Sequence, residues 1–554
     1  MPRLSEEAVF FGLTATLYLA VASALVFMAN DLANDGVSRV ATANRILFSR
    51  DPHLAAVGFV WSPLPNLVLL PLIPFKFLWP PLVQSAFAGS IVSSVFMAGA
   101  AWQLVAFLRE IGVKRSVRGV LTLCFALHPL IVLYAANSMS EAQFIFFLLF
   151  VARYLTRWIF TGASAPLAVT GFGLGLAYLT RYEAAAGAVA VLMVVAIVSY
   201  VRTKSNRSNW LSLVLCDCLI ALTPFVTAFV LWALVSWLLT GMPFQQFSSV
   251  YGNAAQVRAE GLVDLGIPQE IATAHQGVIW MLALAPFLPV IALICAIRLI
   301  SRRDAGLLGP VVVLGAVVTF MFIAFALGMT PRFLRYFIVV IPLAIVMVGI
   351  AIAPTRNLTL SLQPAQHRKR FRRSAQARSS HRGVVAAISV LALAAGLPTG
   401  ALAVLSPTIN QSDAYPLQAL LSRAPLTHEQ QLASKRWITD RAVATYIDAM
   451  HPGRGSVLID DFLGFGIVIG SDNGDQFVIT SDRDFQPILA DPEQSTVRYV
   501  LVPPNRDLGL LDAVNRAYPS MYENGAGFAT LVKQFDDVSD LGTNWRLYRL
   551  TPAR

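Results

Sequence analysis

The chain has 554 residues, of which 56% are hydrophobic and 13% charged, with a mean hydropathy of +0.63. About a quarter charged residues is usual for soluble chains. This composition therefore excludes disordered, collagen-like and disulfide-stapled proteins and leaves one that crosses a membrane many times. The net charge of +11 does not mark a nucleic-acid binder, because it is unevenly held. Residues 1–405 carry 29 Lys/Arg and 13 Asp/Glu, and residues 406–554 carry 13 and 18. The basic excess sits in the hydrophobic part, where it reports membrane orientation.

A bilayer core takes about 20 apolar residues per helix. Eleven segments approach that length: 8–28, 84–107, 119–136, 141–158, 166–181, 184–201, 210–239, 276–297, 306–328, 335–353 and 383–405. The first is read as an uncleaved span, since it is long and others follow it. Residues 58–83 are also apolar, but Pro63, Pro65, Pro71, Pro74, Pro80 and Pro81 would break a helix repeatedly. Residues 29–83 are therefore predicted to form one long extracytoplasmic loop that partly re-enters or lies on the membrane. Within it, the spacing of Val40, Ala43 and Leu47 predicts a short interfacial helix whose polar face holds Arg39 and Asn44.

With the N-terminus inside, the cytoplasmic side collects 21 of the 29 basic residues, eight of them in a basic loop over 355–382. An odd number of spans then places residues 406–554 outside. This tail is predicted to be a compact α/β domain. It has a helix over 427–450 and strands at Ser456–Ile459, Gln476–Thr480, Arg498–Val502 and Trp545–Leu550. All four cysteines (Cys124, Cys216, Cys218 and Cys295) lie in apolar runs, so no disulfide holds the tail. Asp460-Asp461 reads as a solvated pair at a strand end. Gly171, Gly173 and Gly175 form a small-residue stripe suited to close helix packing.

Charge inside a membrane is costly, so it points to function by default. In this scheme eight acidic residues face outward: Asp31, Asp35, Asp51, Glu141, Glu183, Glu260, Asp264 and Glu270. Outward basic residues are sparse, and Arg181, Arg332 and Arg335 stand out. Arg181-Tyr182-Glu183 lies at the outer hinge between spans five and six, and Pro331-Arg332-Phe333-Leu334-Arg335-Tyr336 opens span ten. Guanidinium groups at the membrane surface, set against carboxylates, suit a lipid phosphate. There is no Walker loop, HExxH or GxSxG motif.

A first helix, a long loop with an early aspartate, many further spans and a C-terminal domain together resemble the GT-C glycosyltransferase superfamily. The likeness is to bacterial members related to the protein O-mannosyltransferases and the aminoarabinose transferases. Those families carry an Asp-Glu pair after helix one, a Gly-Asp about sixteen residues on, and a Pro-Pro-Leu-Tyr-like segment. Here Asp35-Gly36, Arg50-Asp51 and Trp61-Ser62-Pro63-Leu64-Pro65 occupy those places. Ser140-Glu141, Thr180-Arg181-Tyr182-Glu183 and Arg335-Tyr336…Pro342 match further features of the families. The resemblance implies a polytopic α-helical membrane fold over residues 1–405, with an extracytoplasmic α/β domain over 406–554. It also implies sugar transfer from a polyprenyl-phosphate donor to an envelope glycan, lipid or protein, at a bacterial cytoplasmic (inner) membrane.

Inverting transfer needs a carboxylate that takes the acceptor's proton and cations that stabilise the departing phosphate. Asp35 is the expected base, with Asp31 its rival four residues earlier; the sixteen-residue spacing to Asp51 favours Asp35. Arg335 and Arg332 are the expected phosphate partners, and Asp51, Glu141, Arg181, Glu183 and Tyr336 the expected pocket. The scheme requires no cofactor and leaves a divalent metal open. Two other classes fit a chain of this composition: a transporter or flippase, which would favour inverted repeats and midplane charges, and a non-catalytic envelope scaffold.

Overall fold

The computed structural model describes residues 5–203, 209–259, 269–302, 307–354 and 379–551. Glu260, Asp264 and residues 355–378 of the predicted basic loop lie outside them. Helix α1 (Glu6–Phe27) starts at Ser5, whose hydroxyl accepts from the Ala8 amide and satisfies one of the donors a helix start leaves open. Helix α2 (Asn34–Phe48) follows. The pattern of Val40, Ala43 and Leu47 does form a helix, but not one with an aqueous face. Asn44 is buried and accepts from Lys76 at 2.8 Å, because α2 lies between the helical bundle and the C-terminal unit. Residues 49–86 form only short helical turns, at Leu54–Val57, Leu64–Leu67, Ile73–Phe77 and Pro81–Gln84. The last three have proline in their opening positions, and no spanning helix forms over 58–83.

The bundle continues with α3 (Phe87–Glu110), α4 (Arg115–Ala126), α5 (Pro129–Ala136), α6 (Glu141–Thr161), α7 (Ser164–Thr180), α8 (Ala184–Thr203) and α9 (Trp210–Thr240). It is completed by α10 (Gln269–Leu284), α11 (Leu288–Arg302), α12 (Leu308–Ala326), α13 (Val340–Ile352), α14 (Ser379–Ala394) and α15 (Gly396–Val404). Among the described residues, eight helices are long and apolar enough to cross a membrane, or ten if each of two bent pairs is one crossing. All eleven predicted segments fall on helices, but 166–181 falls on α7, whose 17 residues are short for a crossing.

The bent pairs are α4–α5, at 62°, and α10–α11, at 76°. Pro129 and Pro286 sit at these breaks, where a missing N–H prevents the helix from running through. The breaks meet. His128 Nε2 lies 3.2 Å from the Leu284 carbonyl, and its Nδ1 accepts from the Leu130 amide at 3.3 Å. Gly396 and Gly400 of α15 close over the pair: a Cβ would come within 2.8 Å of the Leu284 oxygen at the first and 2.7 Å of the His128 ring at the second.

The glycine stripe packs as its composition suggests. On α7, a Cβ at Gly171 would stand 2.3 Å from the Ala221 carbonyl oxygen of α9, and one at Gly175 would stand 3.0 Å from that of Pro224. Gly173 faces Phe150 of α6. These contacts let α7 lie close to both neighbours and fix the direction in which its C-terminal end delivers Arg181.

The C-terminal unit begins with α16 (Ala414–Leu421), α17 (His428–Ala433) and α18 (Ile438–Met450), and goes on through β1 (Val457–Leu458), α19 (Asp461–Gly470), β2 (Phe477–Val478), β3 (Tyr499–Val502), β4 (Ala529–Phe535) and β5 (Trp545–Leu550). The sheet order is β2-β1-β3-β5-β4, parallel across β2, β1 and β3 and antiparallel from β3 onward. Val457 and Leu501 point to one face, with Ile447, Ile467 and Trp545, while Leu458 and Val500 point to the other, with Phe485 and Met521. This is the alternation a strand imposes.

The four predicted strands are present, three of them shorter. The predicted helix over 427–450 is two helices, because Trp437 adopts φ 65° and turns its indole to donate to Leu32 O at 3.2 Å. Helix α16 and two further elements escaped prediction. Helix α19, Asp-Phe-Leu-Gly-Phe-Gly-Ile-Val-Ile-Gly, is apolar all round because it is covered by α18 and the sheet on one side and by α2 on the other. Strand β4 is an edge strand exposed over its five central residues, so it shows no burial alternation. Trp437 and Ile469 join the buried cluster of the bundle itself.

Gly171→Leu should push α7 off α9 and lower stability by about 1–3 kcal/mol or more. A thermal melt of the purified full chain checks this, with Gly12→Leu, where a Cβ meets nothing within 4 Å, as the neutral comparison.

Candidate active site

Four segments converge at the end of the bundle beneath the C-terminal unit: the first turns of α2, the turn before α6, the end of α7 and the 3-10 turn Leu334–Phe337 that opens α13. Each is a helix terminus, where the chain can place a charged side chain beside an apolar bundle without burying it in the middle. Arg335 is the hub. Its Nη2 lies 2.9 Å from Asp35 Oδ2 and its Nε 3.8 Å from Glu141 Oε1. Arg181 joins the same Glu141 oxygen at 2.7 Å and pairs with Glu183 at 2.6 Å. Arg39 reaches Ser140 Oγ at 3.2 Å, Met139 Sδ at 3.4 Å and Ser138 O at 3.5 Å. The Tyr336 ring lies between Arg181 and Arg335, with its centroid 5.9 and 5.6 Å from their guanidinium carbons.

Of the residues singled out in the sequence, Asp35, Glu141, Arg181, Glu183, Arg335 and Tyr336 are therefore gathered together. Arg39 belongs with them. Its spacing of four from Asp35 on one helix puts both on one face, which was a usable signal. Arg332 is exposed and makes none of these ion pairs. Asp51 lies elsewhere, accepting from the Arg483 amide at 3.0 Å in the C-terminal unit.

Asp31 also turns away from the cluster. It is 5% exposed, lies 3.7 Å from Arg436 and sits within electrostatic range of Asp413, which follows the last crossing. Burial first, and then Asp413, push its carboxyl up to about 8 against the pull of Arg436. Asp413 is raised too, mainly by burial. Its position is set by how the chain returns after α15, for which the sequence holds no signal.

Asp35 behaves differently. Burial works to raise its pKa, but Arg335, Arg39 and Arg181 together outweigh it and hold the carboxyl below its ordinary range. Its side chain is still 51% exposed, so the site offers an ionised and accessible carboxylate. Glu141, by contrast, is 1% exposed, and its Oε2 has no hydrogen-bond partner among the described residues.

Gly36 is what lets α2 come this close. A Cβ there would stand 2.8 Å from Asn137 O and 2.7 Å from Ser138 Cβ. The acidic residue expected next to Asp35 would not fit against this turn, which accounts for glycine at that place. Asp460 and Asp461, read from the sequence as solvated, are buried. Asp460 accepts from the Phe462 and Ala513 amides at 2.8 and 2.6 Å and from Tyr251 at 2.9 Å, while Asp461 binds Arg45 and Thr480. Among the described residues no three His, Cys, Asp or Glu side chains are grouped to hold a metal ion.

The architecture has a solved counterpart. The chain is similar to the crystal structure of ArnT from Cupriavidus metallidurans bound to undecaprenyl phosphate, with a TM-score of 0.54 at 11% identity, covering 97% of this chain and 97% of that one. The chain has the GT-C fold. A looser likeness, TM-score 0.43 at 12% identity, is to the archaeal oligosaccharyltransferase AglB from Archaeoglobus fulgidus in complex with an inhibitory peptide and a dolichol-phosphate, covering 97% of this chain and 74% of that one. No protein-family model matches the sequence, and no curated protein matches it. In this GT-C fold the convergent helix ends bring the arginine–carboxylate cluster to one end of the bundle.

Two outcomes follow. Gly36→Ala should displace α2 and lower the thermal midpoint, because both obstructing groups belong to a tight turn. Asp31 gives a pH signature. With a folded pKa of about 8 against about 4 when unfolded, the native state holds a proton that the unfolded chain releases, so stability falls as pH rises through that window. Asp31→Asn should remove this slope, so that its midpoint gains on the parent from pH 5 to pH 8. Parallel slopes would contradict the assignment.

Proposed function

We propose that this chain is a membrane glycosyltransferase that moves a sugar from a polyprenyl-phosphate donor to an acceptor on the face where the C-terminal unit sits. The observation that carries the reading is the ionised, half-exposed Asp35 carboxylate held beside three guanidinium groups at a helix-terminus junction of a GT-C fold. The undecaprenyl phosphate bound to ArnT is a ligand of the kind such a cluster would take. In this scheme the acceptor hydroxyl attacks the anomeric carbon and Asp35 takes its proton. The bond from that carbon to the phosphate oxygen breaks, and the phosphate leaves with the electron pair. Arg335 leads in stabilising the growing charge, with Arg181 and Arg39 beside it. Glu141 and Glu183 hold Arg181, and Tyr336 lies beside it and Arg335.

The Asp35–Arg335 pair explains how a carboxylate with a depressed pKa serves as a base. A phosphate entering the cluster competes for Arg335, and each contact it takes from Asp35 returns basicity to that carboxylate. Proton acceptance is thus tied to donor binding. The acceptor class consists of envelope glycans, lipids or proteins, and the transfer inverts the anomeric centre. The scheme needs no cofactor. The placement that goes with it is a bacterial inner membrane, with the N-terminus inside and the C-terminal unit outside.

Asp35→Asn should slow transfer about 100-fold or more while polyprenyl-phosphate binding persists, and Arg335→Ala should weaken that binding. Near-normal turnover in Asp35→Asn would remove the assignment. For orientation, a cysteine replacing the exposed Leu421, in a chain lacking the four native cysteines, should react with an impermeant thiol reagent in intact cells. One placed between 360 and 380 should not.

A further inference from the structure

Among the described residues no hydrogen bond or ion pair joins the C-terminal unit to Asp35 or Arg39, yet the unit grips the other end of the helix that carries them. Arg45, in the last turn of α2, pairs with Asp461 at the start of α19 and also donates to Ala56 O at 2.9 Å. Two residues past the end of α2, Arg50 pairs with Asp482 at 2.9 Å and with Asp484. Asp51 accepts from the Arg483 amide, and Arg454 returns to donate to Arg50 O at 2.7 Å. These are shielded contacts: the Asp461 side chain is 4% exposed and that of Asp482 fully buried.

At the other end α2 is held by Asp35 on Arg335 and by Arg39 on residues 138–140, contacts made by long side chains that yield to a tilt of the helix. Its N-cap is Ala33, with no side-chain hydrogen bond, and on the bundle side Gly36 offers only a smooth contact against residues 137 and 138. Asp35 and Arg45 are ten residues apart, about 15 Å along a rigid helix. A small tilt at the gripped end therefore carries Asp35 out of its 2.9 Å contact with Arg335.

We propose that the C-terminal unit is a positioning element for the membrane site: Arg45–Asp461 and Arg50–Asp482/Asp484 set the rotation and depth of α2 and thereby the place of Asp35 and Arg39. The catalytic half of this statement rests on the transferase reading; the mechanical half does not. Asp461, Asp482 and Asp484 are positioning residues that act through α2.

The test uses the full chain in lipid nanodiscs, with spin labels at Ser38 on α2 and Met329 beyond α12, and compares three variants. Asp461→Asn removes the charge at constant shape. Asp484→Ala removes half of the Arg50 clamp at a side chain that is 51% exposed, so it carries the test if Asp461→Asn fails to fold. Asp472→Ala cuts another bond between the two parts, the one from Gln84 at 2.8 Å, without touching α2. Asp461→Asn and Asp484→Ala should broaden or shift the label-to-label distance, and Asp472→Ala should leave it alone. Transfer should show the same split. Asp461→Asn should lower kcat toward the about 100-fold that a 1 Å misplacement can cost, with little change in the donor KM. Unchanged distances in both clamp variants, or an equal loss in Asp472→Ala, would overturn the proposal. A distance shift in a parent chain that transfers no sugar would discard the transferase reading and leave the positioning of α2 standing.

Discussion

The structure turns on where α2 lies. One 15-residue helix carries the site's accessible carboxylate and one of its three clustered arginines in its first two turns, and a buried ion pair to the C-terminal unit in its last. It lies on a tight turn of the bundle through a glycine and under an apolar helix of the C-terminal unit, so that beyond its first turn it has no exposed residue. Helices that rest on a membrane need a polar side for water. α2 has instead used its polar residues to reach neighbours on both sides, and the two halves of the protein are joined through it.

The charges around it balance. Arg39, Arg181 and Arg335 are set against Asp35, Glu141 and Glu183, so the unliganded cluster carries no large net charge into an apolar setting. Charges in such surroundings persist only when paired. Under the transferase reading an anionic ligand would enter by exchange of partners rather than by simple attraction to a positive patch, and the carboxylate that lost its partner would regain basicity.

Most of the membrane part was legible because hydrophobic length and proline punctuation are read directly from residues: the long spans, the broken loop over 58–83 and the glycine stripe needed no tertiary information. Helix termini bearing Glu141, Arg181 and Arg335 were legible for the same reason, since charge at the edge of an apolar run is conspicuous. What depends on contacts between distant segments was not. Asp51 and Asp460-Asp461 looked like site or surface residues, because nothing local tells an aspartate that faces a substrate from one that faces Arg483 or Arg45. The break at Trp437 was hidden in a continuous helical pattern, as it is imposed by a carbonyl four hundred residues away. Asp413 became visible only once the chain had returned from its last crossing.

The two bent crossings have a consequence of their own. His128 can satisfy both of its neighbours in only one way: Nε2–H donates to the Leu284 carbonyl, and Nδ1 accepts from the Leu130 amide. The ring is therefore a single neutral tautomer that satisfies one group at each bend, and the glycines of α15 pack closely over it. Straightening either crossing would abandon polar groups in hydrocarbon at several kcal/mol each. The bends are thus fixed corners, and a bundle braced at its corners keeps its interior shape. Any change of shape is left to the loops and helix ends around it.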